Sequence, residues 1–241
     1  MIQLAWLIAA VALPALLALG GPLVLHPSSV FAQYAAAGQH GKGEHRRPED
    51  IAEYLQHLDR AERDRDQKPV EVIDALDLKP GMAVADLGAG SGYFTRRLVQ
   101  AVTDTGKVYA VDVEPAMLEY TKQSMARMGM PSSVEFILAT RDNAKLRPRS
   151  VDLIFVCNVF HHLENRPSYF EGVTAALKPS GRVAIIDFYH DERSGDVGFP
   201  RHHLVPRETV INEMTKAGYV LLREHAFLPR QYFLEFAPQA H

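Results

Sequence analysis

The chain of 241 residues is 47% hydrophobic and 23% charged, with a formal net charge of -3, which suits one globular domain with a sizeable core. The near-neutral balance excludes the basic surface that would mark nucleic acid as the main partner. A single cysteine, Cys157, excludes an internal disulfide framework and any site built from several thiolates.

From Met1 to Leu25 the only strongly polar side chain is Gln3, and the run closes in Ser28-Ser29-Val30-Phe31-Ala32. Val30 and Ala32 resemble the positions before a signal-peptidase cut. Residues 1–32 are therefore expected to be a signal peptide or, uncleaved, a membrane anchor that associates the chain with a bilayer. Either reading places the protein in an exported, periplasmic or membrane-anchored location. No lysine or arginine precedes Lys42, so the charge rule barely sets an orientation. Residues 33–47, rich in Gly, Ala and His, read as a flexible tether. Ile51, Tyr54, Leu55 and Leu58 then recur at helical intervals after the acidic start Pro48-Glu49-Asp50. The run from Arg60 to Asp66 alternates in sign and reads as a solvated helix face.

Pro69 opens a short helix carrying Val72, Ile73 and Leu76, and Pro80-Gly81 makes a turn. Beyond it apolar runs alternate with helical periods. Strands are expected at Ala83–Leu87, Lys107–Val111, Val134–Leu138, Val151–Cys157 and Arg182–Phe188, and helices at Tyr93–Val102, Ala116–Met128 and Pro167–Leu177. Near-continuous runs such as Val-Asp-Leu-Ile-Phe-Val suit strands buried on both faces. After a helix over Pro206–Ala217, strands at Tyr219–His225 and Gln231–Phe236 are too close for a crossover and must form an antiparallel hairpin. The expected fold class is α/β: a Rossmann-like doubly wound sheet of seven strands, mostly parallel, with an antiparallel C-terminal strand.

Between the first strand and its helix lies Asp86-Leu87-Gly88-Ala89-Gly90-Ser91-Gly92-Tyr93. Glycines there let a ligand approach the backbone, and the amides that open the helix carry the positive end of its dipole. Asp112 closes the second strand about 20 residues after Gly92, where an acid accepts hydrogen bonds from ribose hydroxyls. The spacing departs from a dinucleotide fingerprint, because Tyr93 stands where a third packing glycine belongs. Asp86 beside the loop also suits a cationic ligand better than a pyrophosphate, so a nicotinamide-dependent oxidoreductase is a distant alternative.

These segments, with Val111-Asp112-Val113-Glu114-Pro115, resemble the cofactor motifs of class I S-adenosylmethionine-dependent methyltransferases, the small-molecule branch that includes UbiE. Val151-Asp152-Leu153-Ile154-Phe155 leading to Asn158-Val159-Phe160-His161-His162 is similar to the fourth-strand motif, and Leu177-Lys178-Pro179-Ser180-Gly181 to the turn into the fifth. The likeness runs over most of residues 69–241, the expected catalytic domain. It implies S-adenosylmethionine as cofactor. Gly88, Ala89, Gly90 and Gly92 would pass under its methionine portion, with Asp86 and Asn158 near the amine. Asp112 would hold the ribose, with Val113 beside it, and Asp142 would meet the adenine. Residues 48–68, as a helical lid, would fold over the cofactor.

Methyl transfer from a sulfonium needs a base only when the acceptor starts protonated, and His161 or His162 beyond the fourth strand is the candidate catalytic residue. Cys157, inside an apolar strand, reads as a core residue. His190-Asp191-Glu192 and His202-His203 lack ligand spacing, and no metal is expected. The absence of an Asn/Asp-Pro-Pro-Tyr/Phe tetrapeptide after the fourth strand counts against methylation of nucleobase amines. A small-molecule acceptor remains. The leader favours a further alternative, an exported module that binds the cofactor without turnover.

Overall fold

A computed structural model describes residues 54–55, 58–60, 62–130, 133–198 and 200–239. The leader, the tether and the start of the expected lid helix lie outside the described residues. After two short helices, α1 (Glu62–Gln67) and α2 (Pro69–Ala75), the chain alternates: β1 (Ala83–Leu87), α3 (Tyr93–Val102), β2 (Lys107–Asp112), α4 (Pro115–Arg127), β3 (Val134–Leu138), β4 (Val151–Cys157), α5 (Arg166–Thr174) and β5 (Leu177–Phe188). It closes with α6 (Arg207–Lys216), β6 (Tyr219–His225) and β7 (Gln231–Pro238).

The strands form one seven-stranded sheet in the order β3-β2-β1-β4-β5-β7-β6. Strands β1 to β5 pair in parallel, while β7 runs antiparallel to both β5 and β6. The chain winds outward from β1 through β2 to β3, then crosses back to lay β4 on the other side of β1. That reversal puts a topological switch point at the C-terminal ends of β1 and β4, where Leu87 pairs with Val156.

Strand parity decides which helix layer each residue meets. Ala85, Leu87, Ile154, Val156, Val183 and Ile185 pack with Phe170 and Val173 of α5 and with Val210 and Met214 of α6. Their neighbours Val84, Leu153, Phe155, Ala184 and Ile186 pack instead with Val72 and Leu76 and with Phe94, Leu98 and Val102 of α3. Both parities are apolar because both faces are covered, which is why the strands read as unbroken hydrophobic runs. Burying each such Val, Leu, Ile or Phe contributes roughly 1.5–3 kcal/mol, so this double layer fixes the register and with it the edge that carries the polar groups.

Most element ends agree with the sequence reading. The main difference is β5, which begins at Leu177 rather than Arg182: Leu177 pairs with Val151, and an irregularity follows before Arg182 meets Leu153. The preceding helix therefore stops at Thr174 instead of running to Leu177.

Candidate cofactor and acceptor site

All three loop glycines have positive φ, 73° at Gly88, 55° at Gly90 and 78° at Gly92. The amides of Gly88 and Ala89 donate to the Val111 carbonyl at 2.8 and 3.0 Å, tying the loop to the end of β2. Packing explains two of the three absent side chains. A Cβ on Gly88 would stand 2.3 Å from a methyl of Val159, and one on Gly92 would stand 2.5 Å from a methyl of Thr121. Thr121 also donates from its hydroxyl to the Gly90 carbonyl at 2.9 Å. Gly90 is different. A Cβ there would make ordinary contact with Leu58 Cδ1 at 3.5 Å, so the left-handed φ rather than a clash is what favours glycine at this residue.

Asp112 sits across the loop. Its Oδ2 accepts from the Gly90 amide and its Oδ1 from the Glu114 amide, each at 2.9 Å. Burial raises its pKa against the opposing pull of those amides. Val113 beside it is exposed, and the amide of Ala139 donates to the Asp112 carbonyl at 2.9 Å. That contact brings the turn after β3 alongside. Asp142 lies in this turn, exposed, accepting from the Thr140 hydroxyl at 2.8 Å.

The ends of β1, β4, β5 and β7 form the other half of the edge. Asp86 is buried, takes the Thr95 hydroxyl at 2.6 Å, and has its pKa pushed up to about 6 by burial. Asn158 adopts a left-handed conformation, φ 58°, which Asn tolerates better than most residues. Its amide donates to the Ile186 carbonyl at 2.8 Å and its Oδ1 accepts from Gln231 Nε2 at 2.6 Å. Gln231 is buried and its Oε1 has no hydrogen-bond partner among the described residues. A lone buried acceptor costs about 1–3 kcal/mol and calls for a donor. Cys157 is buried beside them, its thiol pushed up by desolvation, so it is the core residue expected and no nucleophile.

His161 lies in a short 3-10 turn just beyond β4, with its side chain buried. Its Nδ1 stands 2.7 and 2.9 Å from the two oxygens of Asp187, and its amide donates to Oδ2 at 3.0 Å. Asp187 also takes the Phe188 amide at 2.8 Å, so the carboxylate is held on several sides. His162, its ring 4.0 Å from that of His161, is exposed. Sequence reasoning singled out both histidines and missed Asp187, although an acid closing the run Val183–Ile186 was a visible signal. For Gln231 the sequence carries no signal.

The charged run between Arg60 and Asp66 corrects the sequence reading. Arg60, Glu62, Asp64 and Arg65 are exposed, as a solvated face requires, but Arg63 and Asp66 are half-buried and turned toward partners. Asp59, just before it, accepts from Ser91 Oγ at 2.8 Å, Arg96 Nη2 at 3.0 Å and Tyr120 Oη at 3.0 Å. Arg63 lies 3.9 Å over the Tyr93 ring, with Arg97 at 4.1 Å, and Tyr93 donates its hydroxyl to Asp64. Asp66 pairs with Arg230 Nη1 at 2.9 Å. Arg63, Asp64 and Asp66 of the run therefore find partners on α3 and just before β7, while Asp59 ahead of it reaches α4.

The donor set fits the cofactor the resemblance implies. Buried Asp86 could face an ammonium, and Asp112 across the glycine loop could accept hydrogen bonds from ribose hydroxyls.

Residues 84–181 match a family described as methyltransferase domain. An uncharacterised methyltransferase of Mycobacterium tuberculosis is 36% identical over 134 residues, 56% of this chain and 51% of the relative. The ubiquinone/menaquinone biosynthesis C-methyltransferase UbiE of Escherichia coli is 25% identical over 116 residues, 48% of this chain and 46% of the relative. The chain thus spans about half the length of the curated relatives it matches. Among solved structures, a SAM-dependent methyltransferase from Aquifex aeolicus superposes with a TM-score of 0.72 at 28% identity, covering 78% of this chain and 97% of that one.

Proposed function

Since the chain belongs to the class I S-adenosylmethionine-dependent methyltransferases and takes S-adenosylmethionine as cofactor, we propose that it transfers the methyl group to a small-molecule acceptor. One observation carries the reading: the glycine loop joins Asp86 of β1 to Asp112 at the end of β2, the Gly90 amide donating to Asp112, which suits an amine, a backbone approach and a ribose. In this assignment Asp86 and Asn158 hold the amino end, Gly88 to Gly92 carry the chain of the methionine portion, Asp112 takes the ribose, and Asp142 with Val113 flanks the base.

The cofactor supplies an electrophilic methyl carbon whose leaving group is a neutral thioether. The protein's own task is alignment and exclusion of water. Leu58 lies beside Gly90 and Arg63 over Tyr93, which brings the segment ahead of α2 against the glycine loop and its helix. Where that acceptor brings a proton, we assign its removal to His161 rather than to the exposed His162. Asp187, 2.7 Å from Nδ1, fixes the orientation of the His161 ring.

The test has two readouts. S-adenosylhomocysteine at about 100 times its Kd should raise the Tm of the full chain by roughly 5–10 °C, following mass action and the usual entropy of unfolding. No shift at millimolar ligand overturns the cofactor assignment. Transfer of labelled methyl groups to low-molecular-weight compounds of a cell extract then separates turnover from the alternative the leader favours, an exported module that binds without reacting.

A further inference from the structure

We propose that Gln231 binds the methyl acceptor: its amide oxygen takes a hydrogen bond from an N–H or O–H group of that molecule and so turns a lone pair of the acceptor toward the methyl carbon. The proposal rests on the reading of the strand ends as a methyltransferase site. It narrows the acceptor to a hydroxyl or amine compound and excludes a carboxylate.

Gln231 opens β7 where β5 ends, in register with Phe188, and the next pair along is Asp187 with Tyr232. Successive residues of a strand point to opposite faces. The Gln231 amide and the Asp187 carboxylate that holds His161 therefore flank the end of β5 from its two sides. The amide also reaches over β5 toward β4: Nε2 donates at 2.6 Å to Oδ1 of Asn158, just beyond the end of that strand. A molecule lying over these strand ends has Gln231 on one side and the turn that carries His161 on the other.

The side chain is 1% exposed, and Oε1 has no hydrogen-bond partner among the described residues. The bond from Nε2 to Asn158 holds the amide in place, so the oxygen is oriented as well as buried. Donors around it are spent elsewhere. The Asn158 amide donates to the Ile186 carbonyl and the Tyr189 amide to the Arg230 carbonyl. The Phe188 amide donates to Asp187 Oδ1 at 2.8 Å. Arg230, the preceding residue, gives its guanidinium to the carbonyls of Ser194 and Asp196 and to the Asp66 carboxylate. Buried polar groups in folded chains are paired as a rule, so an oxygen the chain leaves alone at the edge of a site is one that a ligand completes.

An ionised carboxylate has no hydrogen to give this oxygen, whereas a hydroxyl or a neutral amine has one and keeps a lone pair for the methyl group. An amide oxygen is too weak a base to remove a proton, so Gln231 orients the acceptor and does not deprotonate it. In the transfer the acceptor's lone pair forms the new bond to carbon, and the C–S bond breaks with its electron pair returning to sulfur. The acceptor's proton passes to His161, as assigned above.

The experiment uses full-length wild type, Gln231→Met and Gln231→Glu. Met keeps the length of the side chain without its strong hydrogen-bonding groups, and Glu keeps an acceptor oxygen while giving up the N–H that meets Asn158. The probe is methyl-labelled S-adenosylmethionine with the low-molecular-weight fraction of a cell extract, and S-adenosylhomocysteine is titrated calorimetrically alongside. Gln231→Met should slow labelling at dilute extract by about 10- to 100-fold while S-adenosylhomocysteine binds within about twofold of wild type. Concentrating the extract should recover much of the loss, as a raised KM requires. Gln231→Glu should fall between Gln231→Met and wild type. The ligand-free Tm of Gln231→Met should hold, because the change removes an orphaned oxygen along with one hydrogen bond. The labelled product should survive alkali, which releases labelled methanol from a methyl ester. Unchanged labelling in Gln231→Met overturns the proposal and leaves the oxygen to bound water. Equal loss in both variants with a lowered Tm makes Gln231 a clip on Asn158, and a weakened S-adenosylhomocysteine moves it to the cofactor. Labelled methanol overturns the acceptor class. If wild type neither binds S-adenosylhomocysteine nor transfers label, the methyltransferase reading itself falls, an outcome that the wild-type arm alone identifies.

Discussion

From Val183 to Ile186 every side chain is buried, and alternate ones face different helix layers. From Leu58 to Gln67, among the described residues, only Gln67 is buried, and the contacts to the glycine loop and its helices are mostly hydrogen bonds and ion pairs, with Arg63 stacked on Tyr93. The two regions touch the same site from opposite sides. One positions Asp86, Asn158 and Asp187 through apolar packing that admits a single register. The other is held by polar contacts that exchange with water at little net cost. Stability is thus concentrated under the site, and the means of opening it lie above.

The largest expected effect breaks the lower region. Phe155 is fully buried in β4 and meets Phe94 of α3 edge-on at 4.9 Å. Phe155→Ala should destabilise the chain by about 3–5 kcal/mol, lowering the urea midpoint with little change in slope. A loss under about 1 kcal/mol would show that the layer repacks freely and does not fix the edge.

A second effect sharpens the comparison at Asp86, where apolar surroundings meet a charge. Its pKa is raised from 3.8 to about 6, so the ionised form is the disfavoured one in the fold. The sign follows: this group's contribution to ligand-free stability is most favourable below about 4 and worsens as pH rises to about 6, by about 1–3 kcal/mol in all. Affinity for the ligand's ammonium runs the other way, because only ionised Asp86 attracts it. S-adenosylhomocysteine should bind more tightly as pH rises from about 4 to about 6. Asp86→Asn should bind about 10- to 100-fold more weakly at neutral pH and with a flatter pH profile, while its ligand-free Tm holds or rises. Titrations at two pH values check both; an unchanged Kd in the variant removes Asp86 from the ligand.

The same contrast separates what the sequence disclosed from what it withheld. Val84, Leu153 and Ala184 announce themselves because burial on both faces leaves an apolar run of strand length, and the strand-loop-helix order then fixes where Gly88 to Gly92 and Asp112 fall. The reason for the glycines was only half legible. The loop reads as cleared for a ligand, yet Val159 and Thr121 fill the space at Gly88 and Gly92, and those contacts join residues far apart in the chain. Asp59 and Arg63 were hidden for a related reason. A charged run on a short helix has the same composition whether it faces water or a matched set of partners, and Ser91, Arg96, Tyr120 and Tyr93 become its partners only once the loop and two helices are assembled. Asp187 was available as an acid ending a strand, but its pairing with His161 requires β4 and β5 to be adjacent.

The smallest effect tests the upper region directly. Asp59 gathers three donors, and Asn in its place keeps one carbonyl oxygen and loses the charge that strengthens the bond from Arg96. The expected cost is about 1–2 kcal/mol, felt as opening of the segment rather than as unfolding of the sheet. Trypsin supplies the readout, since Arg60, Arg63 and Arg65 all lie in the segment and cleavage follows the population of the open form when reclosing is fast. Asp59→Asn should be cut there about tenfold faster than wild type while the global urea midpoint scarcely moves. Saturating S-adenosylhomocysteine should slow the cut in both proteins, because a ligand that binds the closed form preferentially stabilises it against opening. Unchanged cleavage would mean that Tyr93 and Arg230, gripping Arg63 and Asp66 farther along, hold the segment without Asp59. The opening point would then lie at α1 itself.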